Sequence, residues 1–149
     1  MNVIADINII CIGQKEKKCY NHDLINIECH KNPYCFYSEW EILSSIRGNW
    51  YQITPIKRDY GVYNDEFFPL LQNKNKSYLY LKDNKPNIDF LVNLIIFYLN
   101  ESPLRKIYFM VRLNWKKEQK IIGVLKFKEF INKLENNKIL FDTAYIIEL

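Results

Sequence analysis

The side chains best suited to nucleophilic and metal chemistry lie close together near the start of this 149-residue chain. All four cysteines and both histidines fall between Cys11 and Cys35. Thiols and imidazoles carry most nucleophilic, general-base and transition-metal chemistry near neutral pH. Chemistry of those kinds must therefore be anchored in this early segment, because residues 36–149 offer only carboxylates, basic groups, hydroxyls and aromatic rings.

Four of these residues are candidate ligands for one metal ion: Cys19, His22, Cys29 and Cys35. The pair Cys19-x2-His22 has a spacing found among zinc ligands. Structural zinc sites usually contain a second close pair, however, and the step from Cys29 to Cys35 is too wide for one. Cys11 and Cys29 also fall inside predicted strands, where a free cysteine is an ordinary small core residue. We expect structural thiols with no metal and no cofactor, although the sequence leaves the metal question open.

Signatures of catalysis are missing from the chain. A thiol nucleophile would require Cys19 beside His22, or Cys35 beside His30, in the folded protein. The four glycines are scattered, so no phosphate-binding loop is present. Serine-hydrolase, zinc-protease and kinase motifs are absent as well. We therefore expect no catalytic residue and no enzyme activity.

The closest group of carboxylates lies in segment 57–69. Asp59, Asp65 and Glu66 are interleaved there with Tyr60 and Tyr63. Paired acids can serve a glycosidase or a metal-dependent nuclease. The tyrosines favour another interpretation, because an acidic and aromatic loop is suited to gripping a basic protein partner. We predict these five residues as partner contacts.

Trp50 is a further predicted contact, as an aromatic anchor that fills a pocket on the partner. The competing interpretation, which we favour, is that its indole seals the end of a helix that stops at Gly48. The second interpretation depends on a helix predicted over Glu39–Arg47, which opens on a capping box formed by Ser38 and Glu41.

Basic residues concentrate in segment 105–138, which holds ten lysines and arginines against three glutamates. Aromatic residues accompany them, and lysines beside aromatics suit single-stranded nucleic acid. The net charge of +4 falls short of a strongly basic footprint. Nucleic-acid binding is therefore the alternative function and not the leading one. The residues involved are Arg105, Lys106, Tyr108, Phe109, Arg112, Trp115, Lys116, Lys117, Lys120, Lys126 and Lys128.

The hydrophobic pattern predicts a single α/β (α+β) domain over residues 1–149, with a mixed, largely antiparallel sheet and about three packed helices. Two hairpins are expected, one joining the first two strands and one joining the strands that begin at Ile107 and Lys120. Residues 49–75 are expected to be irregular. The predicted helices are Glu39–Arg47, Ile88–Leu99 and Lys126–Glu135. The predicted strands are Val3–Ile12, Leu24–Cys29, Ser77–Lys82, Ile107–Leu113, Lys120–Leu125 and Ile139–Leu149.

The apolar segments do not have the pattern of targeting or membrane sequences. Val3–Ile12 is interrupted by Asp6 and Asn8 and has no basic region before it. The apolar helix over Ile88–Leu99 is too short to cross a bilayer. We expect a cytoplasmic protein with reduced thiols and no membrane contact.

The second half of the chain carries a family resemblance. Ser102-Pro103, Ile107–Arg112, Ile121–Gly123, Phe127–Phe130 and Ile139–Ile147 follow one another in an order that resembles the small immunity proteins of bacterial contact-dependent growth inhibition and polymorphic toxin systems. The resemblance covers about residues 36–149, and its motifs are structural. It implies a bacterial cytoplasmic protein that binds one cognate toxin domain, often a nuclease, and neutralises it by occluding the active site.

Overall fold

A computed structural model describes residues 6–23, 25–30, 47–55, 78–79, 81, 85–112 and 120–149. Six strands form one sheet, in the order β2-β3-β1-β4-β6-β5. Two helices, α1 and α2, are present in this part of the chain, where the sequence predicts about three; the Glu39–Arg47 helix lies outside it except for Arg47. The strands are β1 Asp6–Ile12, β2 Ile25–His30, β3 Gly48–Pro55, β4 Lys106–Arg112, β5 Lys120–Lys126 and β6 Thr143–Glu148, and the helices are α1 Lys85–Glu101 and α2 Phe127–Glu135.

The predicted fold class is confirmed, because the sheet is mixed and largely antiparallel. Every neighbouring pair of strands is antiparallel except β5 and β6. Parallel neighbours need a long crossover connection, and α2 supplies it between β5 and β6. Neither α1 nor α2 combines the length and the apolarity that a bilayer-crossing helix needs.

The main core lies between the sheet and the two helices. Alternate residues of β1, β3, β4 and β6 face it, and both helices contribute buried apolar side chains. α1 buries a broad stripe that includes Leu91, Leu94, Ile95 and Leu99, as its helical spacing predicts. α2 buries Phe130 and Leu134 and keeps its charged residues outside. A smaller cluster packs on the opposite sheet face, around Ile10, Trp50, Tyr108, Met110 and Ala144.

Both predicted hairpins are wrong, for the same reason. β3 lies between β1 and β2, and β6 lies between β4 and β5, so neither predicted pair of strands is in contact. Both inserted strands have buried residues on both faces, such as Trp50 and Tyr51 in β3, whereas β2 alternates between buried and exposed residues. Burial on both faces places a strand inside a sheet, and this outweighs the tendency of consecutive strands to pair.

Two other predicted boundaries differ from the structure. The irregular segment 49–75 begins with a strand, since β3 continues to Pro55. The strand predicted over Ser77–Lys82 is reduced, among its described residues, to one bridge between Tyr78 and Leu140. The alternation of apolar and polar residues did not predict either difference, because strand formation in both segments depends on pairing partners far along the chain.

Candidate functional site: a buried polar network and the strand it anchors

Charged, amide and indole side chains meet at the centre of the sheet, on the face opposite the helices, and all of them except the half-buried Gln52 are buried. They come from three adjacent strands: Asp6 and Asn8 on β1, Trp50 and Gln52 on β3, and Arg112 on β4. We call these five residues the polar network. Asp6 is 4% exposed and Arg112 is fully buried. A buried charge is tolerated only when it is paired and hydrogen-bonded, so the geometry of this group decides what it can do.

The Asp6 carboxylate accepts hydrogen bonds at both oxygens. Arg112, its direct cross-strand partner, donates to it through Nε at 3.0 Å and Nη2 at 2.8 Å. Asn8 donates to Oδ1 at 2.8 Å, and Gln52 donates to Oδ2 at 2.7 Å. A carboxylate engaged in this way is poorly placed to take a proton from a substrate. The arrangement is that of a structural ion pair which fixes the register of β1 between β3 and β4.

Trp50 belongs to the same network and is 1% exposed. Its indole Nε1 donates to Asn8 Oδ1 at 2.9 Å. The Arg112 guanidinium lies 5.6 Å from its ring centroid, and the His30 ring lies 4.5 Å from it on β2. Trp50 is the one predicted contact residue within the described ranges, and its side chain is part of the interior and not of an accessible surface.

The other five predicted contacts, Asp59, Tyr60, Tyr63, Asp65 and Glu66, lie outside the described residues. The structure does define the strand from which they follow. β3 ends at Pro55, four positions before Asp59, and is paired along its length with β1 on one side and β2 on the other. The polar network holds one face of β3 through Trp50 and Gln52.

The opposite face of β3 is held by a second set of hydrogen bonds. Tyr51 donates its hydroxyl to Gln14 Oε1 at 2.5 Å and accepts from the backbone N–H of Lys18 at 2.9 Å. Asn49 donates to the same Gln14 oxygen at 3.1 Å. The Tyr98 hydroxyl of α1 accepts from the backbone N–H of Tyr20 at 3.3 Å. These contacts tie the connection between β1 and β2 to both β3 and α1.

Burial favours the protonated forms of the Cys11 thiol and of the Tyr51 and Tyr98 hydroxyls. Burial raises the pKa of Tyr51 to about 12, and the Lys18 backbone hydrogen bond opposes part of that shift. Burial likewise raises the pKa of the Cys11 thiol and of Tyr98 far above their usual ranges. A nucleophilic thiol needs a lowered pKa. Cys11 is therefore an inert core residue, as the sequence predicts.

The candidate metal ligands are not gathered in the part of the chain that is described. His22 packs against Phe90 on the helix side, whereas His30 stacks on Trp50 on the other face of the sheet. Cys19 is exposed and Cys29 is half-buried on β2. Among the described residues no three cysteine, histidine or acidic side chains are grouped so as to hold a metal ion. Cys35 lies outside those residues.

The basic segment is partly buried. Tyr108, Phe109 and Arg112, three residues of the nucleic-acid prediction, are each fully buried. Lys126 and Lys106 both approach the Glu148 carboxylate, at 2.8 and 3.7 Å. The net positive charge that this segment presents on the folded surface is therefore smaller than the count of its basic residues suggests.

A cavity of about 460 Å³ opens where β1 ends, beside Gln14. Lys15 and Lys18 line it together with Glu16 and Glu101. The charges of opposite sign cancel, and the Gln14 amide oxygen is already used by Asn49 and Tyr51. The cavity thus has no excess charge with which to select a charged ligand.

The polar network was missed by sequence reasoning, although its signal is visible. Asp6 interrupts the apolar run Val3–Ile12, and Arg112 interrupts the apolar run Ile107–Leu113. Opposite charges inside two strands that read as buried indicate that the strands are neighbours.

Searches of known protein families, of curated proteins and of solved structures found no match to this chain.

Proposed function

We propose that this chain is an immunity protein, which binds a cognate bacterial toxin domain and neutralises it by covering the active site. It acts in the cytoplasm and catalyses no reaction. Segment 57–69 supplies the contacts, with Asp59, Asp65 and Glu66 opposing a basic cleft and Tyr60 and Tyr63 filling pockets. A nuclease is the toxin class that such acids fit, because they can occupy the position of the substrate's phosphates.

The anchoring of β3 is the observation that supports this proposal most. The strand that leads into segment 57–69 is paired on both sides and hydrogen-bonded on both faces. Binding loops are commonly carried by a rigid scaffold, because the scaffold lowers the entropic cost of ordering the loop on its partner. β3 provides such a scaffold.

The state of the reactive groups also favours binding over catalysis. Among the described residues, the buried Asp6 carboxylate accepts four side-chain hydrogen bonds, and burial raises the pKa values of the Cys11 thiol and the Tyr51 hydroxyl. The alternative function, single-stranded nucleic-acid binding through residues 105–128, has less support. Two of its aromatic residues, Tyr108 and Phe109, face the interior and cannot stack on bases.

A protection assay tests the proposal. The cognate toxin domain that the proposal requires, to be sought in the gene immediately upstream, is expressed in a sensitive strain with the wild-type chain or with the variant D59N/D65N/E66Q. We expect the wild type to restore growth and the variant to lose most of that protection. The matched control, D89N/E129Q/E135Q, removes three exposed acids from the helices and should protect fully. Absence of protection by the wild-type chain contradicts the proposal.

A further inference from the structure

The cavity at the end of β1 is bounded by parts of the chain that hydrogen bonds hold in place. Gly13, at a φ of 83°, turns the chain out of the strand. The Ser102 hydroxyl donates to the Ile12 carbonyl at 2.7 Å and so ties the end of α1 to the same turn. Gln14 is 8% exposed, and its Nε2 donates to the Glu101 carbonyl at 3.5 Å. The volume of about 460 Å³ lies within the usual range for sites that bind small molecules.

Glu101 brings to this cavity a negative charge that no ion pair balances. It is the last residue of α1 and is half-buried. The cations that follow it in the chain are engaged elsewhere, since Arg105 donates to Asn100 Oδ1 at 2.9 Å and Lys106 lies 3.7 Å from Glu148. Within the described ranges, Glu101 forms no ion pair. An anion at the C-terminus of a helix also meets the negative end of the helix dipole, so a bound cation would stabilise this carboxylate.

Lys15 and Lys18 bring positive charge to the same cavity, and Glu16 lies between them in the chain. In the part of the chain that is described, these three side chains form no ion pair either. Their backbone is fixed, because Gln14 is buried and the Lys18 N–H donates to the Tyr51 hydroxyl at 2.9 Å. The lining therefore holds two positive and two negative charges that are not paired with one another. Their formal sum is zero, so it favours neither a simple anion nor a simple cation.

We infer that the cavity binds a small zwitterion, which carries an ammonium and a carboxylate on one molecule as free amino acids and short peptides do. Glu101 and Glu16 bind the ammonium, and Lys15 and Lys18 bind the carboxylate, by charge-assisted hydrogen bonds. Gln14 Nε2 adds a neutral donor, because it has two N–H groups and its contact with the Glu101 carbonyl uses one of them. A ligand of this class satisfies both signs of charge at once and leaves the net charge of the cavity unchanged.

The zwitterion site adjoins the start of β3, whereas the proposed contact segment follows the end of that strand. Gly13 donates its N–H to the Arg47 carbonyl at 2.7 Å, directly before β3 begins. Segment 57–69 comes after Pro55, where β3 ends. The inference therefore does not depend on the proposed function, and the two are tested by different experiments.

Calorimetry with the full-length chain tests the inference, with L-alanine and L-alanyl-L-alanine as the zwitterions and with acetate and methylammonium as single-charge controls. We expect at least one zwitterion to bind saturably, and each single-charge control to bind at least about tenfold more weakly. E101Q should weaken zwitterion binding by about tenfold or more, because it removes a charge-assisted contact. The matched control E135Q, which changes an exposed acid on α2, should stay within about twofold of wild type.

A second variant, K15Q/K18Q, removes the charges that face the carboxylate and should weaken zwitterion binding as E101Q does. Urea unfolding of both variants should match wild type, because the structure shows no ion pair for them to lose among the described residues. Zwitterion binding that is unchanged in both variants overturns the inference, and so does the absence of saturable binding by either zwitterion. Equally tight binding of acetate or methylammonium overturns it as well, since it would show a site for a simple ion. None of these results bears on the proposed function, which the protection assay tests.

Discussion

At the scale of single residues, a small set of charged and polar groups is buried and fixes strand positions. The Asp6–Arg112 pair shows this most directly, because it joins two central strands with a bidentate contact. Such pairs contribute specificity more reliably than stability, since the desolvation of both charges offsets their attraction. The pair explains why two charged residues occupy strands that are otherwise apolar.

Removing one partner of this pair should be costly. We predict that Asp6→Asn or Arg112→Met lowers the free energy of unfolding by about 3–5 kcal/mol, because each leaves a buried charge without its counterion. The double variant should lose less than the sum of the two. Urea denaturation of all three variants measures the coupling. Asp89→Asn, which removes an exposed pair with Lys85, serves as control and should cost about 0.5 kcal/mol or less. Strictly additive losses would show that Asp6 and Arg112 do not act as a pair.

The raised pKa of Tyr51 makes a second prediction at this scale. Because the folded pKa is about 12 and the ordinary value is 10.0, the folded state retains the phenol proton longer than the unfolded state. The stability that this proton contributes is fully present below pH 10 and declines as the pH rises towards 12. We expect Tyr51→Phe to lose about 1 kcal/mol at neutral pH through the missing hydrogen bonds, but to decline less steeply in alkali. Urea midpoints from pH 8 to 11.5 measure this, and an unchanged alkaline slope would contradict it.

At the scale of elements, the close approach of β1 and β3 depends on Gly48. This residue has a φ of 152°, and a Cβ built on it would lie 1.9 Å from the Cys11 carbonyl oxygen. The backbone of β1 therefore occupies the space that any larger residue would need. The sequence predicts Gly48 as the stop of a helix, most of which lies outside the described residues; the structure shows that Gly48 is the first residue of β3.

Gly48→Ala should consequently destabilise the protein by more than a glycine replacement elsewhere. Gly123→Ala is the matched control, since Gly123 also has a positive φ but no heavy atom within 4 Å of an added Cβ. We expect about 1 kcal/mol for Gly123→Ala from backbone strain and at least about 2 kcal/mol for Gly48→Ala from strain plus the clash. Thermal or urea unfolding compares them, and equal losses would show that the approach of Cys11 is not limiting.

The end of β6 carries an ion-pair cluster that should make stability sensitive to acid. The hydrogen-bonded Lys126 ammonium, together with Lys106, holds the pKa of Glu148 below its ordinary value of 4.5. A lowered folded pKa means that the contribution of Glu148 is present above pH 4.5 and is lost as the pH falls through the folded value. Glu148→Gln should therefore show a shallower loss of stability between about pH 5 and pH 3 than Glu129→Gln. Identical acid profiles for the two variants would contradict this assignment.

The sequence predicts the elements themselves better than their arrangement. Helical spacing identifies α1 and α2, and apolar runs identify β1, β4 and β6, because those signals are local. The order of strands is not local, since it depends on which strands bury both faces. The polar network is visible only as two misplaced charges, and its Asn8, Trp50 and Gln52 members give no separate signal. Its geometry follows from a register that the sequence does not specify.

At the scale of the whole molecule, the described residues combine into one six-stranded sheet with two helices packed on one face. The central strands are fixed by buried contacts on both faces, and β3 leads directly into the acidic, tyrosine-rich segment. Among the described residues, burial raises the pKa values of the Cys11 thiol and of the Tyr51 and Tyr98 hydroxyls, and the Asp6 carboxylate is fully hydrogen-bonded, whereas the Cys19 thiol is exposed. This organisation suits a protein that acts by presenting a surface to another macromolecule.

Stoichiometric titration of toxin activity tests this account most directly. Purified chain is added in steps to the active form of the proposed cognate toxin domain, to be sought in the gene immediately upstream, and the remaining toxin activity is measured. Because the chain is proposed to occlude the active site, we predict a linear fall that reaches zero near one equivalent, and the same endpoint with a Cys19→Ser/His22→Ala variant. Full toxin activity in the presence of a tenfold excess of the chain would contradict the account.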